Sequence, residues 1–253
     1  PKIIEVGANI NFKDKYENTA LIIASCNGYK NLVEILLAIE GIEVNSTDLY
    51  GRTALMAASG NDHREIVEIL LNFEGVNFNA FDTHGITALM WATRSGRTEI
   101  VELLLNVKEI EVNAADREGH TALIMASIKG YKDIVDLLVR DRRIKVNAAT
   151  TYGRTSLRWA SEKGHTDIVE ILLNVEGIDV NFPDDNGQTA LIAAAEHGRK
   201  DVVAMLLKVD GINVNAIDKF GYSALKGASF FGHMEIVQMI KMHKDYISSC
   251  IVM

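Results

Sequence analysis

Apolar positions along this chain fall into two alternating kinds of segment. One kind, typified by Glu65-Ile66-Val67-Glu68-Ile69-Leu70-Leu71, puts Ile66, Val67, Leu70 and Leu71 on one helical face and turns Glu65 and Glu68 toward water. That spacing predicts a half-buried amphipathic helix. The other kind, typified by Leu55-Met56-Ala57-Ala58-Ser59, is short and alanine-rich, which predicts a helix that lets a second backbone approach closely. Neither can hide its apolar side alone, so the pattern predicts helix pairs that are stable only when stacked on neighbours.

The alternation is a strict repeat. Thr19, Thr53, Thr87, Thr121, Thr155, Thr189 and Ser223 stand 34 residues apart, each opening a segment of the form Thr-Ala-Leu-x-x-Ala, with Thr155-Ser156-Leu157 and Ser223-Ala224-Leu225 as variants. Around these anchors recur an Asn such as Asn45, an Asp such as Asp48 and a Gly such as Gly51. The glycines at 51, 85, 119, 153, 187 and 221 are expected at positive φ, which glycine adopts without a Cβ clash. The Thr hydroxyl is placed to cap the first helical turn, a contribution of about 1 kcal/mol per helix. Units are expected over about 13–46, 47–80, 81–114, 115–148, 149–182, 183–216 and 217–247, with a partial unit at 1–12, a tail at 248–253 and one domain over 1–253.

These residues resemble the ankyrin repeat: an Asp-x-x-Gly-x-Thr turn, a first helix, then Gly164-His165 and Gly232-His233 at the start of second helices, and Asn79-Ala80 or Asn181-Phe182 at the hairpin base. The resemblance covers nearly the whole chain and implies an all-α solenoid of stacked helix-turn-helix units with short β-hairpin loops. Two features depart from the family pattern. Its Pro-Leu-His is Ala-Leu followed by Ile22, Met56, Met90, Ile124, Ile192 or Lys226, or Ser-Leu followed by Arg158, so apolar packing is expected where the family forms His-centred bonds between repeats. The loops of the form Asn-Val-Glu-Gly-Ile-Asp-Val-Asn, ending at Asn181, are one residue longer than the usual unit.

Composition narrows the chemistry. A formal charge of -8 argues against nucleic acid, which needs clustered cations and a positive field. Two cysteines far apart, Cys26 and Cys250, make no disulfide framework and suggest a reducing, cytoplasmic setting. There is no phosphate loop, no His-Glu-x-x-His, no Gly-x-Ser-x-Gly elbow and no Cys pair at metal spacing, so no enzyme activity, metal or cofactor is expected. His63, His165 and His233 share one register as helix-start residues, and the row Asp14, Asp48, Asp82, Asp116, Asp184 and Asp218 reads as turn-forming carboxylates.

The resemblance implies that binding uses the hairpin tips and the exposed end of the first helix, which line a concave groove. In this register the free positions collect Tyr16, Tyr50, Arg52, Phe81, His84, Arg94, Arg117, Tyr152, Arg154, Phe220, Tyr222, Phe230 and Phe231, types that bury large area at low entropic cost. Trp91 and Trp159 share a first-helix register and serve either the core or the groove floor. Arg140, Arg142, Arg143 and Lys145 form a basic cluster, read as a solvated loop or a dock for an acidic segment. Pro1 to Gly7 reads as the tail of a trimmed repeat, while Lys226, Lys241, His243 and Lys244 read as a polar C-terminal cap.

The expected function is a monomeric scaffold or adaptor that binds another protein. Two alternatives stand beside it. Cys250-Ile251-Val252-Met253 matches a farnesylation pattern, which would make the chain a membrane-tethered adaptor or a microbial effector in a eukaryotic host. Alternatively, the array is the targeting arm of a larger enzyme.

Overall fold

The computed structural model describes the backbone of residues 9–251 and the side chains of residues 9–244. The candidate lipidation site falls beyond them: the Cys250 side chain, Val252 and Met253 lie outside the described residues, as do residues 1–8. The chain forms two compact units, residues 1–117 and 118–253.

In the first unit, α1 (Ala20–Cys26) and α2 (Lys30–Leu37) pair, followed by α3 (Ala54–Gly60) with α4 (Arg64–Leu71) and α5 (Ala88–Arg94) with α6 (Thr98–Leu105). First helices pack on first helices, α1 on α3 and α3 on α5, and second helices follow the same order. The second unit repeats the plan with α7 (Ala122–Lys129), α8 (Lys132–Arg140), α9 (Ser156–Lys163), α10 (Thr166–Leu173), α11 (Ala190–Glu196), α12 (Lys200–Leu206), α13 (Ala224–Phe230) and α14 (Met234–Ile251). This is an all-α, solenoid-like stack within each unit. The expected β-hairpins shrink to single bridges, Phe81 with Thr87 and Ala149 with Thr155. A tip closed by one pair of bonds, such as Asp48 N–H to the Arg52 carbonyl and Gly51 N–H to the Asp48 carbonyl, has no length for a ladder. No helix among the described residues is long and apolar enough to cross a membrane.

Local chemistry explains each unit. Every first helix starts at a Thr or Ser whose hydroxyl accepts the amide three residues on, from Thr19 with Ile22 at 3.3 Å to Ser223 with Lys226 at 3.3 Å. The tip glycines stand at positive φ as expected, Gly85 at +84°. In the first tip Glu17 occupies that place at +61° without being glycine. The core is Leu, Ile, Val and Ala from both helices. Ile22, Met56, Met90, Ile124 and Ile192 are buried in it, as apolar replacements of the family's histidine should be.

Hydrogen bonds between repeats come from elsewhere. The rings of His63, His165 and His233 place Nε2 at 3.0–3.3 Å from the carbonyls of Cys26, Ile128 and Glu196, each 37 residues earlier. These histidines do begin second helices, but neither His63 nor His165 caps its helix with its side chain. Each ring lies against a left-handed glycine of the preceding repeat; a Cβ on Gly28 would sit 2.6 Å from the His63 ring. The longer loops form a second tie. Asn45 Nδ2 donates to the Gly75 carbonyl at 2.7 Å, and its Oδ1 accepts the Asn77 amide at 2.7 Å. Asn11, Asn79, Asn147 and Asn181 clamp the following loop the same way.

Candidate functional site: the hairpin tips and first helices

The tips are built from the Asp row. At Asp14, Asp48, Asp82, Asp184 and Asp218 Oδ1 accepts two backbone amides, Tyr50 and Arg52 on Asp48 at 2.9 Å each, and His84 and Ile86 on Asp82 at 2.8 and 3.0 Å. That bond pattern is the Asx turn that the sequence suggested. At Asp14 burial pushes the carboxyl up, but bonds from Asn18 and the Tyr16 amide outweigh it and hold it below its ordinary value.

Neighbouring tips are tied edge to edge. The Leu49 amide donates to the Tyr16 carbonyl at 2.9 Å, Thr83 to Tyr50 at 2.9 Å and Arg117 to His84 at 3.0 Å. In the second unit Thr151 donates to Glu118, Asp185 to Tyr152 and Lys219 to Asn186. Side chains at these positions therefore stand on a fixed backbone row.

The candidate binding residues divide between the units. Tyr16, Tyr50, Arg52, Phe81, His84, Arg94 and Arg117 belong to the first. Tyr152, Arg154, Phe220, Tyr222, Phe230 and Phe231 belong to the second. Phe81 is 70% exposed and Tyr152 65%, whereas Arg154 and Tyr222 are half-buried. Arg52 is tied down, pairing with Asp48 at 2.7 Å and lying 5.4 Å from the centre of the Tyr50 ring. Tyr222, Phe230 and Phe231 form a chain of edge-to-face contacts, 5.7 and 5.1 Å between ring centres. Phe230 also borders an open cavity of about 450 Å³ with Lys226 and Lys241.

Trp91 and Trp159 are half-buried on this same side of their helices, so they form floor as much as core. Trp91 Nε1 donates to Asp82 Oδ2 at 3.1 Å, and Arg94 lies 5.6 Å from its ring centre. Around Trp159 stand three cations, Arg154, Lys163 and Arg158, at 5.1, 5.5 and 5.8 Å.

Arg158 was legible as a departure from the pattern, but its partners were not. Its side chain is 3% exposed and is held by Glu162 Oε2 at 2.8 Å, Gln188 Oε1 at 2.7 Å and Asp184 Oδ2 at 3.1 Å. Burial pushes the Glu162 carboxyl up, but Arg158 and Lys163 hold it below its ordinary value. Glu196, bonded by Gln188, is raised instead, by burial and then by the charge of Asp218.

The basic cluster of the 140–145 loop is not a free cationic patch. Arg140 pairs with Asp136, and Arg143 grips Asp141. That grip holds the Asp141 carboxyl below its ordinary value.

A family model of ankyrin repeats matches residues 2–82, 38–116, 74–150, 109–184 and 157–249. The chain belongs to the ankyrin-repeat family. No curated protein matches it closely enough to be reported as a relative. Ankyrin repeats are general protein-protein interaction modules.

Proposed function

We propose that this chain is a protein-binding scaffold whose tips and first helices grip a partner protein. The observation that carries the reading is the row of exposed aromatic side chains mounted on hydrogen-bonded tips. Large rigid rings held on a fixed backbone lose little entropy when a partner covers them. Tyr50, Phe81 and Trp91 supply that surface in the first unit, and Tyr152, Trp159 and the Tyr222-Phe230-Phe231 cluster supply it in the second.

The test is affinity capture with the wild type and two variants, Tyr50→Ala/Phe81→Ala and Tyr152→Ala/Arg154→Ala. Each variant should lose specific partners while keeping its helical circular dichroism and thermal midpoint. Partner sets unchanged in both folded variants would overturn the reading.

A further inference from the structure

Charge in the first unit is divided between its two sides. The tips and first helices, residues 13–27, 47–61, 81–95 and 115–117, carry five cations (Lys13, Lys15, Arg52, Arg94 and Arg117) against five carboxylates. The rest of residues 9–117 carries four cations against eleven carboxylates.

The balance on the tip side is tilted further by geometry. Asp48 and Asp82 are 3% exposed, with their charge bound by turn amides and by Arg52 or Trp91. Lys15, Arg94 and Arg117 point into solvent, and no carboxylate among the described residues lies within ion-pair distance of Arg94 or Arg117. Asp48 and Asp82 thus fold inward and the exposed Glu17 pairs with Lys13 at 3.5 Å, while Lys15, Arg94 and Arg117 stay out.

The cations also lie close to the aromatic rings. Lys15 stands 4.8 Å from the ring centre of Tyr16, Arg52 5.4 Å from that of Tyr50 and Arg94 5.6 Å from that of Trp91. An anionic group that meets such a pair finds a charge and an apolar surface side by side.

We propose that the tip face of the first unit takes an acidic segment of a partner protein, one that intersperses Asp or Glu with aliphatic or aromatic side chains. This deepens the protein-binding reading above and rests on it. A protein segment fits better than a nucleic acid or an anionic bilayer for an electrostatic reason. The flanking second helices and loops carry eleven carboxylates and repel any polyanion that extends past the tips, whereas a short acidic stretch ends within the cationic strip.

The experiment selects random 16-residue displayed peptides on the full chain, then measures the recovered peptides against Lys15→Glu/Arg94→Glu/Arg117→Glu and against Tyr16→Ala/Tyr50→Ala/Phe81→Ala. The expected peptides are rich in Asp and Glu and bind at least about tenfold more weakly to the charge-reversed variant at low salt, a difference that shrinks as salt rises. Peptides that are neutral or basic, or that bind the charge-reversed variant equally well, would overturn the acidic assignment while leaving the binding face intact. Failure to recover peptides, or equal binding to the aromatic-free variant, would instead overturn the face itself. A single-stranded DNA oligonucleotide or phosphatidylserine vesicles that bind the wild type as tightly as the acidic peptides would overturn the choice of a protein segment.

Discussion

Segments 81–114 and 149–182 carry the same indole in the same register and hold it in opposite ways. In the first, Asp82 closes the tip with one carboxylate oxygen and accepts the Trp91 N–H with the other. In the second, the Asp is replaced by Thr150, whose hydroxyl accepts only the Arg154 amide at 3.2 Å. The buried Trp159 N–H then finds no acceptor among the described residues. Arg154 has lost the carboxylate that Arg52 keeps in its own tip, and it leans toward Asp184 of the next tip at 3.6 Å. Both tips close on themselves through their backbone, and the one residue decides whether the indole N–H has an acceptor there.

The largest test of this difference is Arg158→Met, which places in α9 the residue found at Met90 in α5. It should cost about 3 kcal/mol in chemical denaturation, because buried Asp184 and Glu162 lose their main counter-charge. The sign of its pH dependence follows from Glu162. A carboxyl held below its ordinary 4.5 stabilises the fold above that pH and loses the contribution as pH falls. The gap between wild type and Arg158→Met should therefore narrow in acid. Glu196, raised by burial, has the opposite sign and weakens the fold as pH rises through its elevated value. Glu196→Gln should lift the thermal midpoint at neutral pH and lose that advantage in acid.

Next come the tip glycines. A Cβ on Gly153 would lie 2.9 Å from the Asp185 amide nitrogen, whereas on Gly85 its nearest neighbour is the Asp116 Cα at 3.2 Å. Both stand at positive φ, so alanine is strained at either, but Gly153→Ala should cost about 2 kcal/mol and Gly85→Ala nearer 1 kcal/mol. Equal losses would show that backbone conformation alone governs these turns.

The exchange of the turn residues is subtler. Asp82→Thr should destabilise by about 1–2 kcal/mol as Trp91 loses its acceptor, and Thr150→Asp should stabilise by about 1 kcal/mol by supplying one to Trp159. Opposite signs in the two melts would establish that the carboxylate matters to the indole as well as to the turn.

How much of this was legible in the sequence depends on distance along the chain. The Thr caps, the tip glycines and the Asp turns are local: donor and acceptor lie within five residues, so a repeat seen once gives the bond. The His63 bridge and the Asn45 clamp join residues 37 and 30 apart, and their partners depend on how repeats stack. The gap at Thr150 was visible as a break in the Asp row, but its consequence required the Trp91–Asp82 bond as a template. The buried partners of Arg158 and the place of Lys163 beside Trp159 carried no signal, because a register pattern does not say which side of a short helix faces the tips. Tyr16, Tyr50, Phe81, Tyr152, Phe220, Phe230 and Phe231 are exposed, since the free positions of a strict repeat are those that packing does not constrain.

A partner that binds on the tips and first helices meets a direct reporter within the chain. Its two tryptophans, Trp91 and Trp159, both lie there, so fluorescence excited selectively at the indole reports on that side of the first helices. The decisive measurement titrates a bound partner or selected peptide into the single-tryptophan variants Trp91→Phe and Trp159→Phe and follows emission. A saturable shift or quenching is expected in at least one of them, with a midpoint equal to the independently measured Kd. Saturated binding that leaves both emission spectra unchanged would contradict binding on the tips and first helices.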